Sequence, residues 1–485
     1  MNRKEFSIYT VLLVFAALAT LFFATYKLTE SPAIWYDEGF YTQTAIHIAE
    51  YGTQALQIAP ETFVSTKNVT VGFPALYPVG LFYKVFGVGV EQGRAVMVLF
   101  ICLFVGSVYF LMRRLANEKI AVWAVLLMAS FAMVYGNGKS VLGEVPGLFF
   151  LMLALLALFF LERHNYKGVR FYILAGLTVA LCVVTKPIFL LFLGSLFITY
   201  LLRWKHIPLD WKGLGYGSLC AIGILVLWAY LQFGADFSIN SILSFYANPY
   251  SLDVRRVVFQ NIIRFFTETT PLYTLLTLLV WIGALWVRRK KGTVSSVELA
   301  AFFFCILVLV AYVRLPGWYR YLFPALAVQL IFLPSSLLAL YAWGREKFPR
   351  VTVIPYNSWA PYILLVLLTG MQLYQTAFSS YVADYYSSTA TQELSEELHT
   401  IGSSKSFFLY NVPQVAVVLP TNNYYQYLPV TEKLIIGDTI LPVLQEGRAD
   451  YVIVEGATYE AKKDAFSKYR HYKTINRYEI LQRNS

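Results

Sequence analysis

The chain has 485 residues, of which 58% are hydrophobic and only 14% charged, and its mean hydropathy is +0.56. That balance excludes a soluble globular protein and points to a chain that crosses a membrane several times. The net charge of +11 does not indicate a nucleic-acid binder, because the basic residues sit mainly in short clusters between apolar runs, which is a topology pattern.

A span needs about 20 apolar residues. The first run, near 7–26, is too long for a signal-peptide core and no small-residue cleavage site follows it, so it reads as a retained anchor. A long connection, about 27–93, comes next and carries "WYDEGFY" at 35–41, with Asp37 and Glu38 side by side among aromatics. The motif runs into "EGFYTQTAIHIAEYG", a predicted helix with Tyr41, Ala45, Ile48 and Ala49 on one face and Gly52 at its end. An N-cap role would account for Asp37 but not for Glu38 or the aromatic setting. Further spans are predicted near 94–112, 119–135, 146–162, 171–185, 188–203, 213–233, 271–287, 297–313, 319–341 and 359–379, about eleven in all. The segment "GNGKSVLGE", with Lys139 and Glu144, joins the third and fourth. Within the connection at about 234–270, "SLDVRRVVFQNIIRFFTE" places Leu252, Val258, Ile262, Phe265 and Phe266 near one helical face, with Arg255, Arg256 and Arg264 toward the other. That pattern suits a helix lying in the membrane interface.

Past about residue 380 the composition changes. "SFFLYN", "EKLIIG", "YVIVEG" and "YEILQR" read as strands, and "TATQELSEELHTIG" and "TYEAKKDAFSKY" as helices. The expected fold is mainly α: a polytopic membrane domain over 1–380 and a small soluble α/β extracytoplasmic domain over 381–485. With the N-terminus inside, the clusters at Arg113/Arg114/Lys119, Arg163/Lys167/Arg170, Arg203/Lys205/Lys212, 288–291 and Arg345/Lys347/Arg350 all fall on the cytoplasmic side. An odd number of spans then places the tail outside.

Ionisable side chains at membrane depth are costly, so each asks for a reason. Asp37, Glu38, Arg94, Glu144, Lys186 and Arg320 all lie at or near the outer ends of spans. A carboxylate there can activate an acceptor hydroxyl while cations hold a lipid phosphate as it leaves. Plainer readings stand beside this one. Arg94 at the opening of a span can snorkel, and Lys186 in "VTKPIF" complements a helix C-terminus. Arg320 in "PGWYRYLFP" anchors among aromatics, and Glu144, just before Pro146, is a first-turn acid. His47 has no partner at ligand spacing and reads as a helix-face residue. Cys102, Cys182, Cys220 and Cys305 lie in apolar runs without metal spacing. The sequon at Asn68 is a short pattern that carries little weight alone.

Several segments, in order, resemble the GT-C glycosyltransferases. The nearest branch is the one with the dolichyl-phosphate-mannose–protein mannosyltransferases and the bacterial aminoarabinose transferases of lipid A. "YDEGFYTQTAIHIAEYG" resembles the acidic motif of the first outer loop and its juxtamembrane helix. "GFPALYPVGLFYKVFGVGVEQGRAVMVLF" and "GKSVLGEVPGLFFLMLALL" resemble the stretches that follow. "VTKP" resembles the family's "TKG" with Pro187 for glycine, and "WYRYLFPALA" its late "RY…P" segment. The resemblance covers about 7–380. It implies an inverting transferase in the plasma (inner) membrane that moves a sugar from a polyprenyl-phosphate donor to a protein, lipid or glycan acceptor on the outer face. Asp37 would be the general base and Glu38 would orient the base or acceptor. Lys186 and Arg320, with Arg94 or Lys139, would neutralise the lipid phosphate, and Glu144 and Tyr41 would face the acceptor or sugar. Membrane lipids are the surroundings, no nucleic acid is involved, and a divalent cation stays open because some related enzymes bind one. The rival from another class is a transporter or flippase of a polar or lipid-linked substrate, whose usual paired repeats are not visible here. A membrane scaffold ranks third.

Overall fold

A computed structural model describes residues 3–67, 69–234, 237, 238, 240, 253–347, 359–380, 387–431 and 434–484. Asn68, Leu252 and Arg350 lie outside them. In lipid a chain can satisfy its backbone polar groups only internally, and each of the eleven apolar runs forms helix. In chain order these are α1 (Arg3–Thr25), α4 (Val90–Leu115), α5 (Glu118–Ala129) with α6 (Ala132–Gly136), α7 (Glu144–Arg163) and α8 (Val169–Thr185). There follow α9 (Leu191–Arg203, entered through a 3₁₀ turn at Pro187–Leu190), α10 (Trp211–Phe233), α12 (Thr269–Lys290), α13 (Ser296–Val313), α14 (Tyr319–Lys347) and α15 (Trp359–Phe378). The helix expected in the 234–270 connection forms as α11 (Val254–Thr267). Among the described residues, eight helices are long and apolar enough to cross a membrane, and Val169–Thr185 is a shorter apolar one. The chain is an integral membrane protein.

One expected span is not continuous. The run 119–135 breaks after Ala129, and α6 starts at Ala132. The 12-residue α5 is only about 18 Å long at 1.5 Å per residue, short of a ~30 Å hydrocarbon core. It is tolerated because Ile120–Ala129 are all buried among other helices. At the break, α15 supplies partners: Ser130 Oγ donates to Gln372 Oε1 at 2.8 Å, and Thr376 Oγ1 to the Ser130 carbonyl at 2.6 Å.

The long first connection is structured. It holds α2 (Tyr36–Tyr51), a hairpin of β1 (Leu56–Ala59) and β2 (Thr62–Val64), and α3 (Phe73–Phe86). Gly52 ends α2 as expected, at φ 76° with its N–H on the Ile48 carbonyl. Because α4 begins at Val90, Arg94 lies inside that helix rather than at its opening.

The tail is α16 (Ala390–Ile401) on a sheet of β3 (Phe407–Tyr410), β4 (Tyr424–Thr431), β5 (Leu434–Ile436), β6 (Tyr451–Glu455), β7 (Tyr469–Ile475) and β8 (Tyr478–Arg483). The order is β5-β4-β3-β6-β8-β7, with β4, β3 and β6 parallel. Residues alternate between faces: Phe407, Leu409 and Ile453 pack under Leu394 and Leu398, while Phe408, Val452 and Val454 pack on Leu444 and Phe466. The four expected strands form; two others were not expected. β4 contains Pro429, which argues against a strand but sits at a register irregularity. β7 is an edge strand with an exposed middle, so it lacks an apolar signature. The helix expected over "TYEAKKDAFSKY" is instead a short helix at Gly456–Ala461, a 3₁₀ turn at Lys463–Phe466 and the start of β7.

Candidate active site

Asp37 and Glu38 lie in the first turn of α2. The N-cap position belongs to Trp35, and no side chain caps the helix, so a capping role for Asp37 does not hold. Successive helix residues point about 100° apart, and the two carboxylates diverge. Glu38 turns inward and is 0% exposed. Its carboxylate accepts from Arg94 Nε at 2.8 Å and Nη2 at 2.7 Å, and from the Val141 N–H at 3.2 Å. Arg94 Nη1 donates to the Leu28 and Pro32 carbonyls at 2.7 and 2.8 Å. Lys139, also fully buried, donates to the carbonyls of Tyr26 and Ser31 at 2.5 and 3.0 Å. These three side chains tie the end of α1, the start of α2, α4 and the 137–143 connection together, and they stand apart from the cavity described next.

Asp37 turns the other way, into a cavity of about 380 Å³. Tyr41, Glu144, Lys186 and Arg320 line the same cavity. Each charged group is delivered by a helix end. Glu144 is the first residue of α7 and Arg320 the second of α14. Lys186 follows α8 in extended conformation (φ −160°, ψ 144°), as the residue before a proline prefers, and this releases its side chain from the helix. Lys186 Nζ donates to Glu144 Oε1 at 2.5 Å, while Glu144 Oε2 has no hydrogen-bond partner among the described residues. Arg320 Nη1 donates to Asp37 Oδ2, and its Nε is without a hydrogen-bond partner among the described residues. The guanidinium lies 4.9, 4.7 and 5.2 Å from the ring centres of Trp35, Trp318 and Tyr321. These faces hold a cation without consuming its donors.

The arrangement offers two carboxylates and two cations around one space, each acid already beside a cation. Among the described residues no grouping of three or more His, Cys, Asp or Glu could hold a metal ion. Two acids each occupied by a cation do not fit a divalent metal. His47 packs its ring on Tyr51 and Phe63, and its Nδ1 lies 2.8 Å from the Thr53 carbonyl.

Apart from Tyr41, the other lining residues were not singled out from the sequence. Tyr36 lies inside the acidic motif; its hydroxyl has no partner among the described residues, and burial, then Asp37 and Glu455, push its pKa well above the ordinary value. It therefore remains a donor. Tyr41, deeply buried and near Asp37, is pushed up for the same reasons, and its hydroxyl lies 2.7 Å from Thr70 Oγ1. Trp318 and Tyr321 flank Arg320. Val430, Leu434 and Ile436 come from β4 and β5 of the tail, so the tail forms part of the wall. Nothing in the sequence pointed to these three, because their strands had to fold back over α2 first.

The family pattern for dolichyl-phosphate-mannose-protein mannosyltransferase matches residues 74–230. A comparison with curated proteins finds no match. Among solved structures, the chain is similar to ArnT from Cupriavidus metallidurans in the apo state, at 14% identity and TM-score 0.61, with 98% of each chain covered. Its similarity to the same enzyme bound to undecaprenyl phosphate is 14% with TM-score 0.63, covering 98% of this chain and 97% of the other. The oligosaccharyltransferase AglB from Archaeoglobus fulgidus, in complex with an inhibitory peptide and a dolichol-phosphate, matches at 13% and TM-score 0.55, covering 99% of this chain and 75% of that one. The chain thus shares the fold of ArnT and AglB, and its sequence over 74–230 resembles the dolichyl-phosphate-mannose-protein mannosyltransferases.

Proposed function

We propose that the chain is an inverting glycosyltransferase that takes a sugar from a polyprenyl-phosphate donor on the outer face of the membrane and passes it to a hydroxyl-bearing protein, lipid or glycan. The observation that carries this reading is the convergence of Asp37, Glu144, Lys186 and Arg320 on one cavity. The similar structures that hold a polyprenyl phosphate support the donor class.

The acceptor oxygen attacks the anomeric carbon and its proton passes to Asp37. The bond from that carbon to the phosphate oxygen breaks, and its electron pair leaves with the lipid phosphate. Arg320 and Lys186 stabilise the developing charge as preorganised cations held in place by their neighbours. Phosphate is a good leaving group, so one displacement suffices and the anomeric centre inverts. Arg320 pairs with Asp37 before substrate arrives; a bound phosphate takes over the guanidinium and leaves the carboxylate to the acceptor. Glu144 holds Lys186 and faces the substrate with its second oxygen. Glu38, Arg94 and Lys139 act as the frame that aims α2.

The test is transfer of a labelled sugar from a polyprenyl phosphate in liposomes. Asp37→Asn is expected to fold and bind donor but lose a factor of roughly 10²–10⁴ in turnover. Full activity in that variant moves catalysis away from Asp37.

A further inference from the structure

The helix α11 has two faces that do different things. On one, Phe259, Ile262, Ile263 and Phe266 are 67%, 47%, 42% and 69% exposed. Arg255 and Arg256, which the sequence pattern placed on the opposite face, lie about one turn earlier on this side, because four residues span about one turn, and are also exposed. On the other face Asn261 is 2% exposed. Its amide donates to the carbonyls of Tyr312, Val313 and Leu315 at 3.2, 3.2 and 2.7 Å. The first two belong to the last turn of α13, where carbonyls lack the helical i+4 donor. Arg264, which the sequence pattern placed with Arg255 and Arg256, instead turns inward. Its Nη1 donates to the Gly317 carbonyl at 2.6 Å and its Nε to both oxygens of Glu268 at 2.8 Å, and Glu268 also accepts from Tyr319 Oη at 2.6 Å.

These contacts converge on the turn between α13 and α14, which supplies Leu315 and Trp318 to the cavity and leads into Arg320 in the first turn of α14. Gly317 in that turn has φ +77°, and a Cβ there would lie 1.9 Å from Arg264 Nη1. The turn and the arginine are therefore fitted to one another, and only glycine suits both the backbone and the space.

We propose that α11 is a membrane-seated brace: its outward face embeds in the headgroup–acyl boundary of the bilayer, and Asn261 and Arg264 on its inward face hold the 312–320 turn so that Arg320 is presented to the cavity. The occupant of the outward face is the lipid surface. Four large apolar side chains beside two arginines match acyl chains beside anionic phosphates, and α11 runs almost directly into the span α12. Asn261 and Arg264 are positioning residues. The brace rests on the transferase reading only for its effect on catalysis; the geometry of the turn is separate.

The experiment has two arms. In the first, Leu315→Cys is introduced with Cys102 and Cys220, the two native cysteines that are not buried, changed to serine. Labelling by a water-soluble maleimide in liposomes is compared with and without Asn261→Ala or Arg264→Ala. Severalfold faster labelling in the variants is expected; an unchanged rate overturns the brace whatever reaction the protein performs. In the second, KM for a polyprenyl-phosphate sugar is measured. Arg264→Ala is expected to raise it about tenfold or more with a smaller effect on kcat, since a lost charge-assisted contact is worth about that much, and Arg264→Lys to recover part of it. Phe259→Ser with Phe266→Ser is expected to lower activity in phosphatidylglycerol-containing liposomes but not in detergent; equal loss in both overturns the membrane seat. Faster maleimide labelling of the Leu315→Cys chain together with no sugar transfer by the parent chain sinks the transferase reading and leaves the brace standing.

Discussion

At the scale of single residues, the adjacent acids divide their labour by direction. Asp37 faces the cavity and Glu38 faces Arg94. Glu38→Ala is expected to cost about 3–5 kcal/mol of stability, because it strands a buried arginine; lowered thermal stability and yield in detergent are the readout. Unchanged stability would mean that Arg94 finds another anion. Arg320→Ala and Lys186→Ala are expected to weaken donor binding, each by about 1.5–3 kcal/mol, with acceptor affinity spared, and Lys186→Ala, which strands the buried Glu144, is expected to lose stability as well. Normal binding of the lipid donor by both variants returns them to plain anchors. The candidate residues were legible from sequence as charges in the wrong solvent. Their division into cavity and frame was not, because it depends on which way each side chain leaves its helix.

At the scale of elements, the glycine in "WYDEGFY" acquires a reason. A Cβ on Gly39 would lie 2.2 Å from the Gln414 N and 2.5 Å from the Pro413 carbonyl carbon. The tail therefore rests directly on the backbone of α2. A buried amide pair secures it: Gln43 Nε2 donates to Gln426 Oε1 and to the Pro413 carbonyl, both at 2.8 Å. Gly39→Ala is expected to dislodge the tail from α2, seen as faster proteolysis of the tail together with lost transfer, although the alanine itself favours helix. A variant with both properties intact would show that the contact yields at little cost. Within the tail, Asp450 accepts from the Ser406 N–H and Oγ at 3.0 Å each and joins β3 to β6. Partial burial alone would raise its pKa, but the Ser406 hydrogen bonds, Arg483 and Lys405 outweigh that and hold it below 3.8. The stabilisation is complete above the unfolded-state value and is lost as pH falls through the lower folded one. The stability gap between wild type and Asp450→Asn is therefore expected to close below about pH 4, as read by thermal unfolding from pH 6 to 3. A gap independent of pH would remove the carboxylate from the explanation.

At the scale of the molecule, the cavity lies between the helix ends and the tail sheet, so both the membrane helices and the tail line it. We propose, from the alternation of basic connections, that the N-terminus lies inside and the tail outside. Ser403→Cys, at an exposed position, is expected to react with an impermeant thiol reagent in intact cells. Reaction only after lysis would reverse the orientation and put the cavity on the cytoplasmic side. The break at Ser130 belongs to this scale too, since a short α5 persists only where α15 shields it.

The sequence by itself determined the eleven helical runs, most of the tail strands and the set of charged residues worth following. Each of those is a local quantity: hydropathy over a window, alternation over a strand, or a charge where lipid should be. Only the tertiary structure decided that Asp37 meets Arg320, that Arg94 and Lys139 are spent on Glu38 and on carbonyls, and that Val430, Leu434 and Ile436 close the cavity. Those facts join residues up to hundreds of positions apart. The direction in which each side chain leaves its helix end is set by neighbouring elements, which no window along the chain contains.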